Sequence, residues 1–191
     1  MPHGAIIGMT TSGQTTLGKY NAASFIKQGI RTLILHKPRE PWPKESVWFQ
    51  TDDPNYYLQI WEKVGAENYE KSQQNCRDPR LVSDACFMEL ADGIVDKWDD
   101  RFHKCFTQGR HDGHRCFYLS QRAASVHPAI RENCESICLF TVPKKAAQLW
   151  AEEFCDDFLL KSVTLPRNAF VYKPTRYTPA TVKILSGVGT K

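Results

Sequence analysis

The chain has 191 residues, of which 41% are hydrophobic and 12% aromatic, and its formal net charge is +4. This composition excludes a disordered or low-complexity chain, and the length suits one domain that buries a full core without disulfides or metal. The sequence contains no apolar run of the ~18 residues that a transmembrane helix needs, and its start is not a secretory signal. The seven cysteines are an odd number, which favours reduced thiols in a cytoplasmic protein over a disulfide framework.

Hydrophobic patterning predicts alternating strands and helices. A strand at residues 5–9, a Gly/Ser/Thr-rich loop, a helix at residues 15–28 and a strand at residues 32–36 form the βαβ unit of a parallel sheet. Further along we predict strands at residues 47–50, 84–88, 116–120 and 137–140, and helices at residues 54–64, 94–106 and 143–158. A polar loop is predicted at residues 65–80, and residues 169–172 and 181–185 are predicted to form a closing hairpin. The sequence therefore predicts one α/β domain over residues 1–191, with a mostly parallel sheet flanked by helices.

Basic residues are concentrated at the C-terminal end, which we predict to close the sheet. Residues 158–191 hold six basic side chains and no acid, and subtracting these six charges from +4 leaves −2 for residues 1–157. The six are Lys161, Arg167, Lys173, Arg176, Lys183 and Lys191. This asymmetry indicates a polyanionic partner, with an ordinary solvated surface as the alternative.

Residues 8–16, which we call the phosphate loop, carry the strongest local signal. They match the pattern G-x-x-x-x-G-K-S/T at Gly8, Gly13 and Thr15, but Gln14 replaces the lysine. With a strand before it and a helix after it, such a loop points backbone N–H groups and a helix N-terminus at phosphate oxygens. The alternative is an ordinary turn. The predicted nucleotide-binding residues are Gly8, Thr10, Thr11, Ser12, Gly13, Gln14, Thr15 and Thr16, with the Thr15 hydroxyl on Mg²⁺.

Two further strands end in polar residues. Glu89 follows a buried strand, and Gln121 follows the strand that begins at Cys116. Because ligands bind at the carboxyl ends of parallel strands, Glu89 is predicted to orient or deprotonate a water, and Gln121 to sense a γ-phosphate. A solvated acid and a polar strand end are the alternatives.

Taken together and in order, these segments resemble the FtsK/HerA branch of P-loop ATPases over residues 5–142. The run at residues 89–92 resembles the acidic strand motif of that family, and the run at residues 109–122 resembles its glutamine-sensor strand. Residues 126–134 and 137–140 are similar to the helix and strand that follow. The small size is similar to that of genome-packaging ATPases of tailless icosahedral viruses with an internal membrane.

The resemblance implies a P-loop NTPase fold of the RecA/FtsK type that binds ATP and Mg²⁺. It implies that Thr15 and Glu89 bind the metal ion. Glu89 would also act on the attacking water, and Gln121 would contact the γ-phosphate. An arginine of the neighbouring subunit, Arg110 or else Arg131, would stabilise the transition state. The implied activity is translocation of double-stranded DNA into a viral procapsid by a pentameric or hexameric ring. A capsid vertex or membrane protein would be its partner, in the host cytoplasm or with the virion.

Two departures from the family pattern leave another function open. Gln14 removes the positive charge of the phosphate-binding lysine, and Met88 stands where a Mg²⁺-orienting aspartate is expected, with Asp92 as a possible substitute. The alternative is therefore a catalytically silent relative that binds nucleotide or DNA in a structural or assembly ring. A cellular DNA-pumping or conjugation ATPase is a third reading, disfavoured because such proteins carry extra domains.

Other constellations give weaker signals. A cluster of His103, Cys105, His111, His114 and Cys116 lacks the paired spacing of a zinc site. Basic and aromatic residues alternate in residues 37–44, and a second basic cluster consists of Arg110, His111, His114 and Arg115. Both segments are candidates for nucleic-acid contact. The alternative is that they are ordinary solvated loops.

Overall fold

The computed structural model describes residues 3–35, 41–46, 50–51, 53–75, 84–89 and 100–185. The strands are β1 (His3–Ile7), β2 (Thr32–Leu35), β3 (Gln50–Thr51), β4 (Asp84–Glu89), β5 (His114–Ser120), β6 (Cys134–Leu139), β7 (Ala169–Lys173) and β8 (Thr181–Ile184). The α-helices are α1 (Gln14–Lys27), α2 (Pro54–Asn75), α3 (His103–Thr107), α4 (Pro128–Asn133) and α5 (Lys144–Phe154). Short 3₁₀ helices cover Lys44–Ser46, Asp100–Phe102, Ala123–Ser125 and Asp157–Thr164.

The described strands form one sheet in the order β3-β2-β4-β5-β1-β6-β7-β8. The six strands from β3 to β6 pair in parallel, whereas β6, β7 and β8 pair antiparallel. The fold class predicted from the sequence, a mostly parallel α/β sheet flanked by helices, is confirmed. The predicted hairpin of β7 and β8 extends the sheet beyond β6.

Both faces of the sheet are buried, and alternation along each strand decides which residue faces which layer. Ile6, Ile34 and Phe87 lie in a cluster with Leu17 and Ala22 of α1. Their neighbours along the strands pack in a second cluster with α2, α3, α4 and α5; they include Ala5, Ile7, Leu33, Leu35, Cys86 and Met88. The strands read as continuous apolar runs because each face has its own helical layer.

Two predicted helix ends are wrong. The polar run at 65–80 was predicted to be a loop, but α2 continues to Asn75 because its polar residues have partners. Asn68 is buried and donates to Asp84 Oδ2 (2.5 Å), and Glu67 pairs with Arg31 (3.0 Å). Helix α5 ends at Phe154 rather than at residue 158, because Cys155 adopts the left-handed conformation (φ 48°).

None of the helices in the described ranges is both long enough and apolar enough to cross a membrane. The six described cysteines are free thiols, and four of them are buried. The four buried thiols pack in the core as small apolar side chains.

Candidate functional site

The phosphate loop is anchored where the central parallel strands end. The Gly8 N–H donates to the carbonyl of Ser120 at the end of β5 (3.1 Å), and the Met9 N–H donates to that of Thr141, just after β6 (3.1 Å). β1 lies between these two strands. The loop therefore leaves β1 at the carboxyl edge of the sheet, where parallel α/β proteins bind their ligands.

The backbone of the loop curls in the way that an anion site requires. Thr11 and Gly13 have positive φ values of 66° and 109°. Gly13 is the N-cap of α1, and no side chain there accepts a hydrogen bond from the first turn. The first N–H groups of a helix have no intrahelical acceptor, so they remain donors for a ligand at the positive end of the helix dipole.

The structure brings the phosphate loop and the glutamine strand together. The Thr10 hydroxyl donates to Gln121 Oε1 over 3.0 Å, across 111 residues of sequence. This contact fixes the carboxamide beside the loop and leaves its NH₂ group as a donor. Both residues are solvent-exposed at the mouth of the site.

The acidic strand reaches the same place. The Thr15 hydroxyl donates to Glu89 Oε1 over 2.5 Å, in a partly buried setting. A hydroxyl and a carboxylate are the hard oxygen donors that Mg²⁺ takes in proteins, so the residues present fit that ion. Met88 points into the core on the opposite face of the sheet. Glu89, rather than residue 88, is thus the strand-end residue that contacts Thr15.

A cavity of about 270 Å³ opens above the loop. Its described lining residues are Met9, Thr10, Thr11, Ser12, Gly13, Gln14, Thr15, Thr16, Gln121, Arg167 and Asn168. Gln14 is buried. The sequence does not predict Arg167 or Asn168 at this site, although Arg167 is one of the six basic residues near the C-terminus. No local pattern indicates their place here, because they lie in an irregular turn before β7.

The two predicted transition-state arginines lie away from this cavity. Arg110 precedes β5 at the amino edge of the sheet, near His3 at the start of β1. A five-residue strand separates the two edges by about 17 Å, so Arg110 cannot reach the phosphate loop of its own chain. Arg131 donates to the carbonyl of Val126 (2.6 Å) and lies 3.7 Å from Glu153, so its side chain joins α4 to α5.

The other candidate surfaces are only partly exposed: Lys44, Arg110 and His111 face solvent, but other members pack in the core. Trp42 is buried and its ring lies 5.7 Å from that of Phe87, so it is not available to stack on a base. His114 and Arg115 of the basic cluster are also buried. Asp92 and residues 36–40, which the sequence predictions include, lie outside the described residues.

The cluster considered for zinc is used in packing. His114 Nε2 lies 3.0 Å from the carbonyl oxygen of Trp61, and the Cys116 thiol donates to the carbonyl of Cys105 over 3.1 Å. Across the part of the chain that the structure describes, no three His, Cys, Asp or Glu residues group as metal ligands.

No family model and no curated protein matches the sequence, whereas solved structures match the fold. The genome packaging NTPase B204 from Sulfolobus turreted icosahedral virus 2, in complex with AMPPCP, aligns with a TM-score of 0.74 at 13% identity, over 96% of this chain and 98% of that chain. The pCW3 conjugation coupling protein TcpA aligns with a TM-score of 0.71 at 14% identity, over 95% of this chain and 59% of that one. EssC (ATPases 2 and 3) from Geobacillus thermodenitrificans aligns at 0.59 and 11% identity, over 96% of this chain and 39% of EssC. At these identities the matches establish the fold, which is the P-loop ATPase fold that the sequence resemblance predicts.

Proposed function

We propose that this chain is a Mg²⁺-dependent P-loop ATPase that moves double-stranded DNA into a viral procapsid. The observation that carries the proposal is the convergence of three sequence segments around one cavity, through the Thr10–Gln121 and Thr15–Glu89 contacts. The likeness to a viral genome packaging NTPase over nearly the whole of both chains supports the packaging role.

Each side chain of the site has a separate task. The curled loop and the first turn of α1 donate N–H groups to the phosphates. Thr15 and Glu89 would hold Mg²⁺, which would neutralise charge on the phosphate oxygens. The Glu89 carboxylate, oriented by the Thr15 hydroxyl, accepts hydrogen bonds from the attacking water. The Gln121 carboxamide, held by Thr10, donates its N–H₂ group to the γ-phosphate.

The assembly that we propose is a ring of five or six identical subunits, because the two predicted transition-state arginines, Arg110 and Arg131, lie away from the cavity of their own chain. A neighbouring subunit would supply the transition-state arginine, with Arg110 as the first candidate because its side chain is exposed. The ring would act in the host cytoplasm or on the virion, at a capsid vertex or membrane protein.

A second candidate function is a catalytically silent relative that binds nucleotide or DNA as a structural ring. One observation favours it: Gln14, not a lysine, is the residue buried against the cavity. A neutral amide holds phosphates less strongly than an ammonium and gives less help to charge that develops during transfer.

Phosphate release from Mg²⁺-ATP, measured with and without duplex DNA, distinguishes these functions. We expect binding of ATP and slow release of phosphate. Glu89→Gln should stop release while changing nucleotide affinity less than about threefold, because the amide oxygen still accepts from Thr15. Glu152→Gln, the same exchange at an exposed position of α5, should have no effect.

Each contrary result has a distinct meaning. If the Glu89→Gln variant still releases phosphate, Glu89 does not act in the chemical step. Nucleotide binding without release, even with DNA, would establish the silent relative. Absence of binding at millimolar ATP would exclude the ATPase and would leave only a silent relative that binds DNA without nucleotide.

A further inference from the structure

We propose that Arg167 binds the polyphosphate chain of the nucleotide from within the same subunit and supplies the positive charge that Gln14 lacks. The inference rests on the proposed nucleotide site and assigns it a binding residue that no sequence pattern contains. Among the described residues that line the cavity, Arg167 alone carries a charge.

The segment that carries Arg167 is fixed to the phosphate loop by its backbone. The Asn168 N–H donates to the carbonyl of Ser12 over 3.2 Å, and the carbonyl of Asn168 accepts from the Leu185 N–H over 2.9 Å. The Ala169 N–H closes the turn on the carbonyl of Pro166 (3.1 Å). Arg167 is therefore held over the loop by contacts on both sides, one to the loop and one to the end of β8.

The conformation of Asn168 directs this turn. Its φ of 64° is left-handed, a region that asparagine tolerates better than most residues. This bend lies directly before β7, and the residue that precedes it, Arg167, lines the cavity. The backbone position of Arg167 is thus fixed before a ligand arrives, which reduces the entropy lost on binding.

The side chain is suited to a phosphate. Arg167 is exposed and makes no ion pair with any of the described carboxylates. A guanidinium offers a planar fork of N–H donors that matches two phosphate oxygens, and its charge is permanent. A long exposed arginine can reach into the cavity that it borders, and the buried Gln14 lines the same cavity.

The test is calorimetric titration of a non-hydrolysed ATP analogue, ADP and AMP into the full chain. Arg167→Ala should weaken binding of the ATP analogue about tenfold or more, the loss expected when a hydrogen bond to a charged group is removed. The loss should be smaller for ADP and slight for AMP, and Arg167→Lys should restore part of the affinity. Lys145→Ala removes the same charge from an exposed position at the start of α5, outside the cavity, and should leave all three affinities unchanged.

A double-mutant cycle with Gln14→Lys tests the compensation itself. If Arg167 replaces the charge of the missing lysine, Arg167→Ala should weaken binding less in the Gln14→Lys background than in the unsubstituted chain. Thermal unfolding of each variant verifies that the fold is retained.

The outcomes separate this inference from the proposed function. If the unsubstituted chain binds the ATP analogue and Arg167→Ala binds it equally well, the assignment of Arg167 is wrong and the nucleotide site stands. If Arg167→Ala weakens AMP as much as the ATP analogue, the arginine contacts the nucleoside and not the phosphates, which also overturns it. If the unsubstituted chain binds no nucleotide, the proposed function falls together with the inference.

Discussion

At the scale of single residues, we expect Gln14 to limit the rate of the proposed ATPase. A lysine at this position brings a full charge to phosphate oxygens whose negative charge grows in the transition state, and losing one such contact costs about 3–4 kcal/mol of barrier. We therefore expect Gln14→Lys to raise the rate of phosphate release at least tenfold in a single-turnover assay. Gln28→Lys, on the exposed end of α1, is the matched control. Equal rates for the unsubstituted chain and Gln14→Lys would show that the reaction does not depend on a charge at this position.

His3 makes the stability of the chain depend on pH. It is buried beside Phe106, and its Nδ1 accepts a hydrogen bond from the Cys116 N–H over 3.0 Å. Burial, with smaller contributions from the charges of Arg110 and His114, lowers the pKa of His3 from 6.5 to about 4. Because the unfolded chain then takes up this proton more readily, stability is complete above about pH 6.5 and falls as the pH drops toward 4.

The size of this loss follows from the pKa difference. A depression of that size corresponds to about 3 kcal/mol of unfolding free energy between pH 7 and pH 4. Urea unfolding at several pH values measures it, and His3→Asn, which keeps a hydrogen-bond acceptor without the titration, should flatten the curve. Parallel curves for the two proteins would contradict the assignment to His3.

At the scale of elements, the junction of the phosphate loop and α1 depends on a glycine. Gly13 has a φ of 109°, and a Cβ there would lie 3.0 Å from Leu185 Cδ1 and 3.1 Å from Asn168 Oδ1. Gly29, just after α1, has a φ of 72°, but a Cβ there would meet nothing within 4 Å. An L-residue would be strained by the positive φ at both positions, and at Gly13 its side chain would also press against the turn that carries Arg167.

This difference gives a matched pair of variants. We expect Gly29→Ala to lower the free energy of unfolding by about 1 kcal/mol, the strain of a left-handed L-residue, without changing nucleotide affinity. Gly13→Ala should cost more stability and abolish binding of the ATP analogue, because the loop and the turn above it must separate. Unimpaired binding by Gly13→Ala would mean that this conformation does not matter for the site.

At the scale of the whole molecule, fewer basic side chains of residues 158–191 are available to a partner than the sequence predicts. Lys173 is buried and donates to Asp156 Oδ2 (2.7 Å) and to the carbonyl of Thr178 (2.9 Å). Arg176 donates to the carbonyls of Cys134 and Glu153 and pairs with the Glu153 carboxylate at 3.3 Å. These two side chains join the β7–β8 hairpin to the rest of the fold, and they do not face a partner as free cations.

DNA binding by the assembled protein should still be electrostatic. The exposed Lys161 and Lys183 remain available as positive charges. We expect duplex affinity to be independent of sequence, and its logarithm to fall with the logarithm of salt concentration by about 0.9 for each phosphate contacted. Fluorescence anisotropy with two unrelated duplexes at several salt concentrations measures both. A flat salt response, or a strong preference for one duplex, would contradict a packaging role.

The sequence by itself determined the fold class, and it selected three residues that the structure brings together at the candidate site. Buried strands read as apolar runs, and glycines and hydroxyls of the phosphate loop occupy fixed local positions, so short-range pattern was enough to predict β1, α1 and β4 and to select Thr15, Glu89 and Gln121. Tertiary structure decided what depends on contacts between distant segments. The polar end of α2 is helical because Asn68 and Glu67 find partners on other elements. Strand alternation turns Glu89 toward Thr15 and Met88 into the core, and the turn before β7 brings Arg167 to the cavity. No sequence window contains both partners of such a contact, so local patterns cannot encode it.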